Sequence, residues 1–403
     1  MALEDYYGQT CWCVKCKQCM LAYYPVMRRT CPAGERFKFL SYYALGKMAV
    51  ARGLIDGSLD YNDSVAELAY TCTLCGCCEE ICQRTGPRFE PRKIIEELRA
   101  ECYSRGLVYD EHRAIVDSVK NYGNVWQQPR AKRDAWAKGL NIKKAAKGGP
   151  KVLYFVGCTY AYDPSLQPVA RATAEIMEAA GVDFSIMGPE EVCCGSPVQK
   201  VGDRELFSKI AKENIEKINE LGVDRVVVSC AGCYSTLAVD YEKEGDMRFE
   251  VVSAVEFISE LVDKGRLRLK DSGETRAVTY HDPCHLGRRS APVDNTPCFM
   301  PSQGVYDAPR MLLEALPGVV LREMKRIREY TWCCGAGGGL KSAFPEVALW
   351  AAGERIGEAR ESGAATLVTA CPWCEANLSD AASREGDDLT VKNVIMMIRE
   401  EME

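Results

Sequence analysis

Histidine is scarce in this sequence: His112, His281 and His285 are the only three among 403 residues. Metal sites built mainly from imidazole are therefore excluded. No apolar run reaches the roughly 18 residues that a membrane-spanning helix needs. Met1–Tyr7 (MALEDYY) is acidic and lacks an apolar h-region, which argues against a secretory leader. A dominant charge sign is also missing. The 51 basic and 57 acidic residues are mixed along the chain and sum to -6, which argues against nucleic acid as a partner. Cysteine, by contrast, is abundant, with 22 residues. A chain of this length buries a core without disulfides and has room for two or three domains. The expectation is a reduced, cytoplasmic protein whose thiols bind metal.

The pattern changes along the chain. Residues 1–125 read as helical, with apolar residues at three-to-four spacing over Glu35–Arg52 and Pro91–Arg105, and no clear strand. Residues 126–150 are basic, end in Gly-Gly-Pro and read as a linker. From Val152 onward, short β-branched runs alternate with helical stretches, which predicts parallel α/β layers. Two halves, 151–272 and 273–403, read as an internal repeat. Each has a lone cysteine after a strand (Cys158, Cys284), then Cys-Cys-Gly (Cys193–Gly195, Cys333–Gly335), then Cys-x-x-Cys between strand and helix (Cys230/Cys233, Cys371/Cys374). Such folds gather ligands at the strand ends.

In the first part, Cys72-x2-Cys75-x2-Cys78-x3-Cys82 has the spacing of bacterial ferredoxins. Cys13-x2-Cys16-x2-Cys19 supplies three more ligands, and Cys31, before Pro32, a fourth after a longer loop. In such pairs the fourth cysteine ligates the other cluster. One cubane [4Fe–4S] cluster is thus expected on Cys13, Cys16, Cys19 and Cys82, and the second on Cys72, Cys75, Cys78 and Cys31. Cys11 is an alternative to Cys31, and Cys77 and Cys102 read as spare. Zinc needs four ligands per site and does not explain the third cysteine of each triplet.

The segments Val156-Gly-Cys158, Cys193-Cys-Gly-Ser-Pro197, Cys230-x-x-Cys233, His281-Asp-Pro-Cys-His-Leu-Gly-Arg288, Cys333-Cys-Gly-Ala-Gly-Gly-Gly339 and Cys371-Pro-Trp-Cys374 resemble the cysteine-rich CCG domain of the heterodisulfide reductase B/D family. With the helical part in front, nearly the whole chain resembles the D-type polypeptide of that family, a C-type part fused to a B-type part. The resemblance implies an α+β multidomain fold: a helical ferredoxin-like [4Fe–4S] domain, then two pseudo-repeated α/β CCG domains. It also implies two noncubane [4Fe–4S] clusters, one on Cys158, Cys193, Cys194, Cys230 and Cys233, the other on Cys284, Cys333, Cys334, Cys371 and Cys374. Cys298 competes with Cys284, because 34 residues separate it from Cys333, as 34 separate Cys158 from Cys193.

The implied function is reduction of a disulfide of the coenzyme M–coenzyme B kind at paired noncubane clusters. Electrons would arrive through the cubanes from a membrane cytochrome b or a flavoprotein, placing the chain on the cytoplasmic side of a membrane through its partner. The alternative is a relay between a flavin dehydrogenase or electron-transfer flavoprotein and a quinone or membrane partner, with no disulfide substrate of its own. His285 is a candidate proton donor to a leaving thiolate, or a hydrogen-bond donor to cluster sulfur. Arg288 is a candidate for holding an anionic substrate. The basic stretches Lys132–Lys147 and Arg322–Arg328 could dock an acidic carrier, although a solvated face explains them as well.

Overall fold

Apolar residues at helical spacing make the first part of the chain a set of helices. A computed structural model describes residues 2–22, 28–83, 89–270, 273–290, 303–386 and 388–403. Helices α1 (Tyr7–Trp12), α2 (Pro32–Phe37), α3 (Ala44–Ile55), α4 (Asp63–Tyr70), α5 (Cys77–Gln83), α6 (Pro91–Ser104) and α7 (Asp110–Tyr122) belong to this part, with a core of Tyr6, Met48, Ala69, Tyr70, Ile94 and Leu98. Pro91 stands in the first turn of α6, where its missing N–H has no helical partner to lose. Two expectations need correction. The helix expected over Glu35–Arg52 is two helices, because Lys38 takes a φ of 65° and ends α2, and a 3-10 turn over Leu40–Tyr42 precedes α3. A small antiparallel pair, β1 (Leu21–Ala22) with β2 (Arg28–Arg29), also occurs where the sequence shows no strand pattern.

The β-branched runs form two sheets, parallel throughout. The first has strands β3 (Lys143–Lys144), β4 (Val152–Phe155), β5 (Phe184–Ile186), β6 (Arg225–Val228) and β7 (Glu250–Ser253), in the order β3-β5-β4-β6-β7. Between and after them run α8 (Cys158–Tyr162), α9 (Gln167–Ala179), α10 (Ser196–Val201), α11 (Arg204–Leu221), α12 (Ala231–Ser235) and α13 (Ala254–Asp263). The second sheet has β8 (Arg276–Tyr280), β9 (Val319–Leu321), β10 (Thr366–Thr369) and β11 (Thr390–Asn393), in the order β11-β10-β8-β9. Its helices are α14 (Asp307–Ala315), α15 (Leu340–Ala343), α16 (Pro345–Glu361), α17 (Pro372–Glu385) and α18 (Val394–Glu401). Helices α9 and α18 pack together, as do α13 and α14, so one apolar core runs through both sheets. The stretch 126–150 is not a free linker. It adds edge strand β3, buries Trp136 and buries Arg133 against Glu191. Composition hides this because only one of its basic residues points inward.

Two side chains lock the helical part onto the sheets. The fully buried guanidinium of Arg99 donates to the carbonyls of Ala69, Tyr70 and Cys72, of Lys200 in the first half, and of Gly338 in the second. His112 on α7 bonds the Gly339 carbonyl at 2.9 Å. Burial lowers its pKa to about 4, so the ring is neutral and Nε2 carries the donated proton.

Arg99→Met strands five buried carbonyls and is expected to cost about 3–5 kcal/mol in denaturant unfolding; a loss below about 1 kcal/mol would contradict the role. The His112 contribution has a defined sign. The unfolded ring takes up its proton near pH 6.5 and the folded ring near pH 4, so stability is full above about pH 6.5 and declines as pH falls toward 4. His112→Gln should flatten that decline in calorimetric scans.

Candidate functional site

Each sheet reverses its winding between two central neighbours. The chain leaves β4 for β5 on one side and returns to β6 on the other; it does the same from β8 through β9 to β10. The crevice beyond the C-terminal ends of such a strand pair is where open α/β sheets take ligands. The cysteines stand at those ends. Cys158 opens α8 after β4, and Cys230 is the N-cap of α12 after β6. Cys284 follows β8, and Cys371 is the N-cap of α17 after β10.

In the first half, Glu191 organises the loop. Its carboxylate accepts from the amides of Val156 (3.1 Å) and Gly157 (2.9 Å) and pairs with Arg133 at 2.6 Å. Arg133 then donates to Cys158 Sγ at 3.5 Å. A hydrogen bond from Cys193 and the Arg133 charge pull the Cys158 thiol down to about 7 against its burial. Hydrogen bonds from Cys193 and Cys233 hold Cys194 well below the usual thiol range, while sharing with neighbouring sulfurs pushes Cys193 and Cys233 well above it. Asn214 and Tyr241 bond the carbonyls of Cys193 and Cys194. Gly157 takes a φ of 78°, and a Cβ there would lie 3.0 Å from Cys233 Sγ.

In the second half, two arginine–histidine pairs face the sulfurs. Arg355 donates to His281 Nδ1 at 3.1 Å, and Arg289 contacts His285 Nε2 at 3.1 Å. A guanidinium only donates, so both ring nitrogens accept. Each neutral imidazole must then carry its proton on the other nitrogen, His281 toward Cys334 and His285 Nδ1 toward Cys284 Sγ at 3.3 Å. Burial and the charge of Arg289 hold His285 well below the usual histidine range. Its one proton faces Cys284, so the geometry favours a hydrogen-bond donor to sulfur over the proton-donor alternative. The ligand atoms of His281, Cys334 and Cys374 lie within 4.8 Å of one another, with Cys334 and Cys374 sulfurs 3.3 Å apart. Asn377 bonds the Cys334 carbonyl as Asn214 bonds that of Cys193. The Gly195 and Gly335 amides each donate to the first sulfur of their Cys-Cys pair, at 3.4 and 3.5 Å.

The helical part brings its cysteines together in two groups. Cys82 is pushed up by burial and by nearby Cys19, Cys13 and Cys16. Cys31 is pushed up to about 12 by burial, with Cys72 and Cys75 as neighbours, and Cys78 also faces Cys75, Cys72 and Cys31. Cys11 is exposed, and Cys102 is buried in the helical core. Cys75 shares a buried cluster with Cys284 and Cys333, so the second of these groups meets the second half directly. Cys298 lies outside the described residues.

All ten cysteines of the two halves line one cavity of about 210 Å³. His285, Lys200, Ser342 and the stacked Trp126 and Trp373 complete much of its wall, with ring centroids of the two tryptophans 6.2 Å apart. Every described cysteine is a free thiol, and no described carboxylate lines the cavity. Crowded, unbridged thiols in numbers beyond the four that zinc takes fit iron–sulfur clusters. Arg288 does not line this cavity. It is buried behind Cys284, where it donates to the carbonyls of Cys75, Glu329 and Thr331. It is therefore not placed to hold a substrate in the cavity. In the basic stretches Lys143, Lys144, Lys325, Arg326 and Arg328 pair with Asp183, Asp134, Glu361, Glu358 and Asp307, while Lys132, Lys138 and Lys147 are exposed, which agrees with a solvated face. Arg133, Glu191, Lys200 and Arg355 carry no sequence signal of a role at the cysteines. Only Glu191, two residues before Cys193, stands near a motif.

Comparison with known proteins agrees with this geometry. The cysteine-rich CCG domain family matches residues 152–238 and 278–379. The chain is 32% identical over 345 residues to the D subunit of the dihydromethanophenazine:CoB–CoM heterodisulfide reductase of Methanosarcina acetivorans, covering 84% of this chain and 78% of that protein. It is 29% identical over 342 residues to the EtfAB:quinone oxidoreductase of Syntrophomonas wolfei, covering 81% of this chain and 45% of that protein. A hypothetical protein from Helicobacter pylori has a similar fold, with a TM-score of 0.54 and 10% identity over 91% of this chain and 74% of its own.

Gly157→Ala places a methyl against Cys233 Sγ at a strained φ. The variant is expected to lose about 1–3 kcal/mol in thermal unfolding and to bind less iron per chain than wild type. Unchanged stability and iron content would contradict the close approach.

Proposed function

The chain belongs to the D-type heterodisulfide reductase family of CCG-domain iron–sulfur oxidoreductases, and we propose that it reduces a disulfide in the cavity between its two α/β halves. The observation that carries this reading is the convergence of ten cysteines from both halves on one cavity of about 210 Å³. In this reading the unit 1–125 is the electron input, with one cubane held by Cys13, Cys16, Cys19 and Cys82 and another by Cys72, Cys75, Cys78 and Cys31. Units 151–272 and 273–403 each hold one noncubane cluster, on Cys158, Cys193, Cys194, Cys230 and Cys233, and on Cys284, Cys333, Cys334, Cys371 and Cys374. The clusters supply electrons one at a time. The substrate is a disulfide of the coenzyme M–coenzyme B kind, the bond that the Methanosarcina relative's name specifies.

The chain's own residues do the rest. Glu191 and Arg133 fix the Cys158 loop, and Arg133 partly neutralises the thiolate charge of that half. His281 and His285, each set by an arginine, aim N–H groups at Cys334 and Cys284, and such hydrogen bonds tune cluster potential. Cys75 shares a buried cluster with Cys284 and Cys333, which joins the input unit to the second half. Trp126 and Trp373 stack against each other and form part of the cavity wall. No helix among the described residues is long and apolar enough to cross a membrane. Docking to a cytoplasmic membrane face would therefore run through a partner such as a cytochrome b or a flavoprotein.

Anaerobic iron and sulfide analysis should give about sixteen irons per chain. Adding coenzyme M thiol to the oxidised protein should raise a paramagnetic signal that Cys334→Ser abolishes. About eight irons, or no thiol-dependent signal, would overturn the disulfide reading. A co-purifying electron-transfer flavoprotein without that signal would favour the relay role, which the EtfAB:quinone oxidoreductase relative supports.

A further inference from the structure

Disulfide reduction releases two sulfurs that must be protonated, and the cavity offers few groups able to do it. Thr159, Ser196 and Ser342 hydroxyls and the Trp126 indole line it, but their protons are held too tightly to be released near neutral pH. The cavity-lining cysteines are the sulfurs assigned to the clusters. His285 has one nitrogen against Arg289 and the other against Cys284 Sγ, so its proton is already engaged. What is left is Lys200. It is the only lysine or arginine among the described residues lining the cavity.

Lys200 is 3% exposed, which is unusual for a lysine. It sits on α10, the helix that begins just after Cys193-Cys194-Gly195, and Arg99 holds its backbone carbonyl at 2.9 Å. Its ammonium donates to Gln199 Oε1 at 2.6 Å and lies 3.8 Å from Asp240 Oδ2, on a π-helical turn after Cys233. Lys200 lines the cavity wall, and Gln199 takes one of the ammonium's three N–H groups. The groups that face it electrostatically are Asp240, Glu96 and Arg92, Arg289 and His285, and Cys194. Burial, with the charges of Arg289 and Arg92, lowers its pKa to about 8, which suits an acid working near neutral pH.

Resting on the disulfide-reductase reading, we propose that Lys200 is the catalytic residue that protonates a sulfur released from the substrate. The balance is RS–SR′ + 2 e⁻ + 2 H⁺ → RSH + R′SH. The S–S bond breaks, and the reduced iron–sulfur centres supply both electrons. The Lys200 ammonium gives one proton to a leaving sulfur. Solvent supplies the other and reprotonates the amine.

The test uses the full chain loaded anaerobically with iron and sulfide, reduced with dithionite, and mixed in a single turnover with bis(2-hydroxyethyl) disulfide, which is uncharged. Cleavage by the wild type should slow at alkaline pH, where the acid form is lost. Lys200→Met should be slower by about 10²-fold and lack that limb. Lys200→Arg keeps the charge but does not release a proton, so it should be equally slow. Iron content and reductive titration without disulfide should match wild type in Lys200→Arg, which keeps the charge near Cys194. A Lys200→Arg rate equal to wild type overturns the proton-donor role, as does a pH limb retained in Lys200→Met. If Lys200→Met does not load, Lys200→Arg decides alone, a slow rate supporting the role. A loaded wild type that leaves the disulfide intact overturns the disulfide-reductase reading itself, and the role of Lys200 with it.

Discussion

Five carbonyls from three parts of the chain converge on the guanidinium of Arg99, and that junction ties together the segments beside three of the cysteine motifs. The loop Ala69–Cys72 leads into the Cys72–Cys82 run. The Lys200 carbonyl ends the helix that follows Cys193-Cys194-Gly195. The Gly338 carbonyl belongs to the glycine run that follows Cys333-Cys334. One buried cation thus sets the helical unit against both sheets. A buried guanidinium satisfied this fully is strongly orienting, because any shift leaves polar groups without partners.

Charge is the second constraint. Ten buried thiols around one cavity cannot all ionise without compensation. The two halves meet this differently. The first sets Arg133 on Cys158 and Lys200 near Cys194. The second uses neutral histidines whose donor nitrogen is chosen by Arg355 and Arg289, themselves balanced by Glu358 and Glu96. Four strands of the first sheet, β5-β4-β6-β7, match the order β9-β8-β10-β11 of the second, and the cysteine pattern recurs, yet the surroundings of the sulfurs differ.

How much of this was legible in the sequence depended on whether the signal was local. The cysteine spacings and β-branched runs carry their meaning within a few residues, so the strands at Val152–Phe155, Arg225–Val228 and Arg276–Tyr280 agree with the pattern. Segments without a local signal misled. Lys38 has no turn-forming character, yet its positive φ breaks the expected helix. The 126–150 stretch looks like a solvated linker because the single inward arginine, Arg133, is indistinguishable by composition from its neighbours. Arg288 lies near Cys284 in sequence but points behind it, toward Cys75. Arg355 became visible only when distant loops met, and Glu191 and Lys200, although close to Cys193 and Cys194 in sequence, belong to no motif that marks a role.

The central claim is that the cavity between the two halves holds two iron clusters facing one substrate site. Anomalous diffraction at the iron edge, from anaerobically grown crystals of the full chain, tests it most directly. The account predicts two separate groups of iron inside the cavity, one against Cys158, Cys193, Cys194, Cys230 and Cys233, the other against Cys284, Cys333, Cys334, Cys371 and Cys374. Two further groups should lie among the cysteines of residues 13–82. A cavity without iron, or with a single metal held by one half alone, would contradict it.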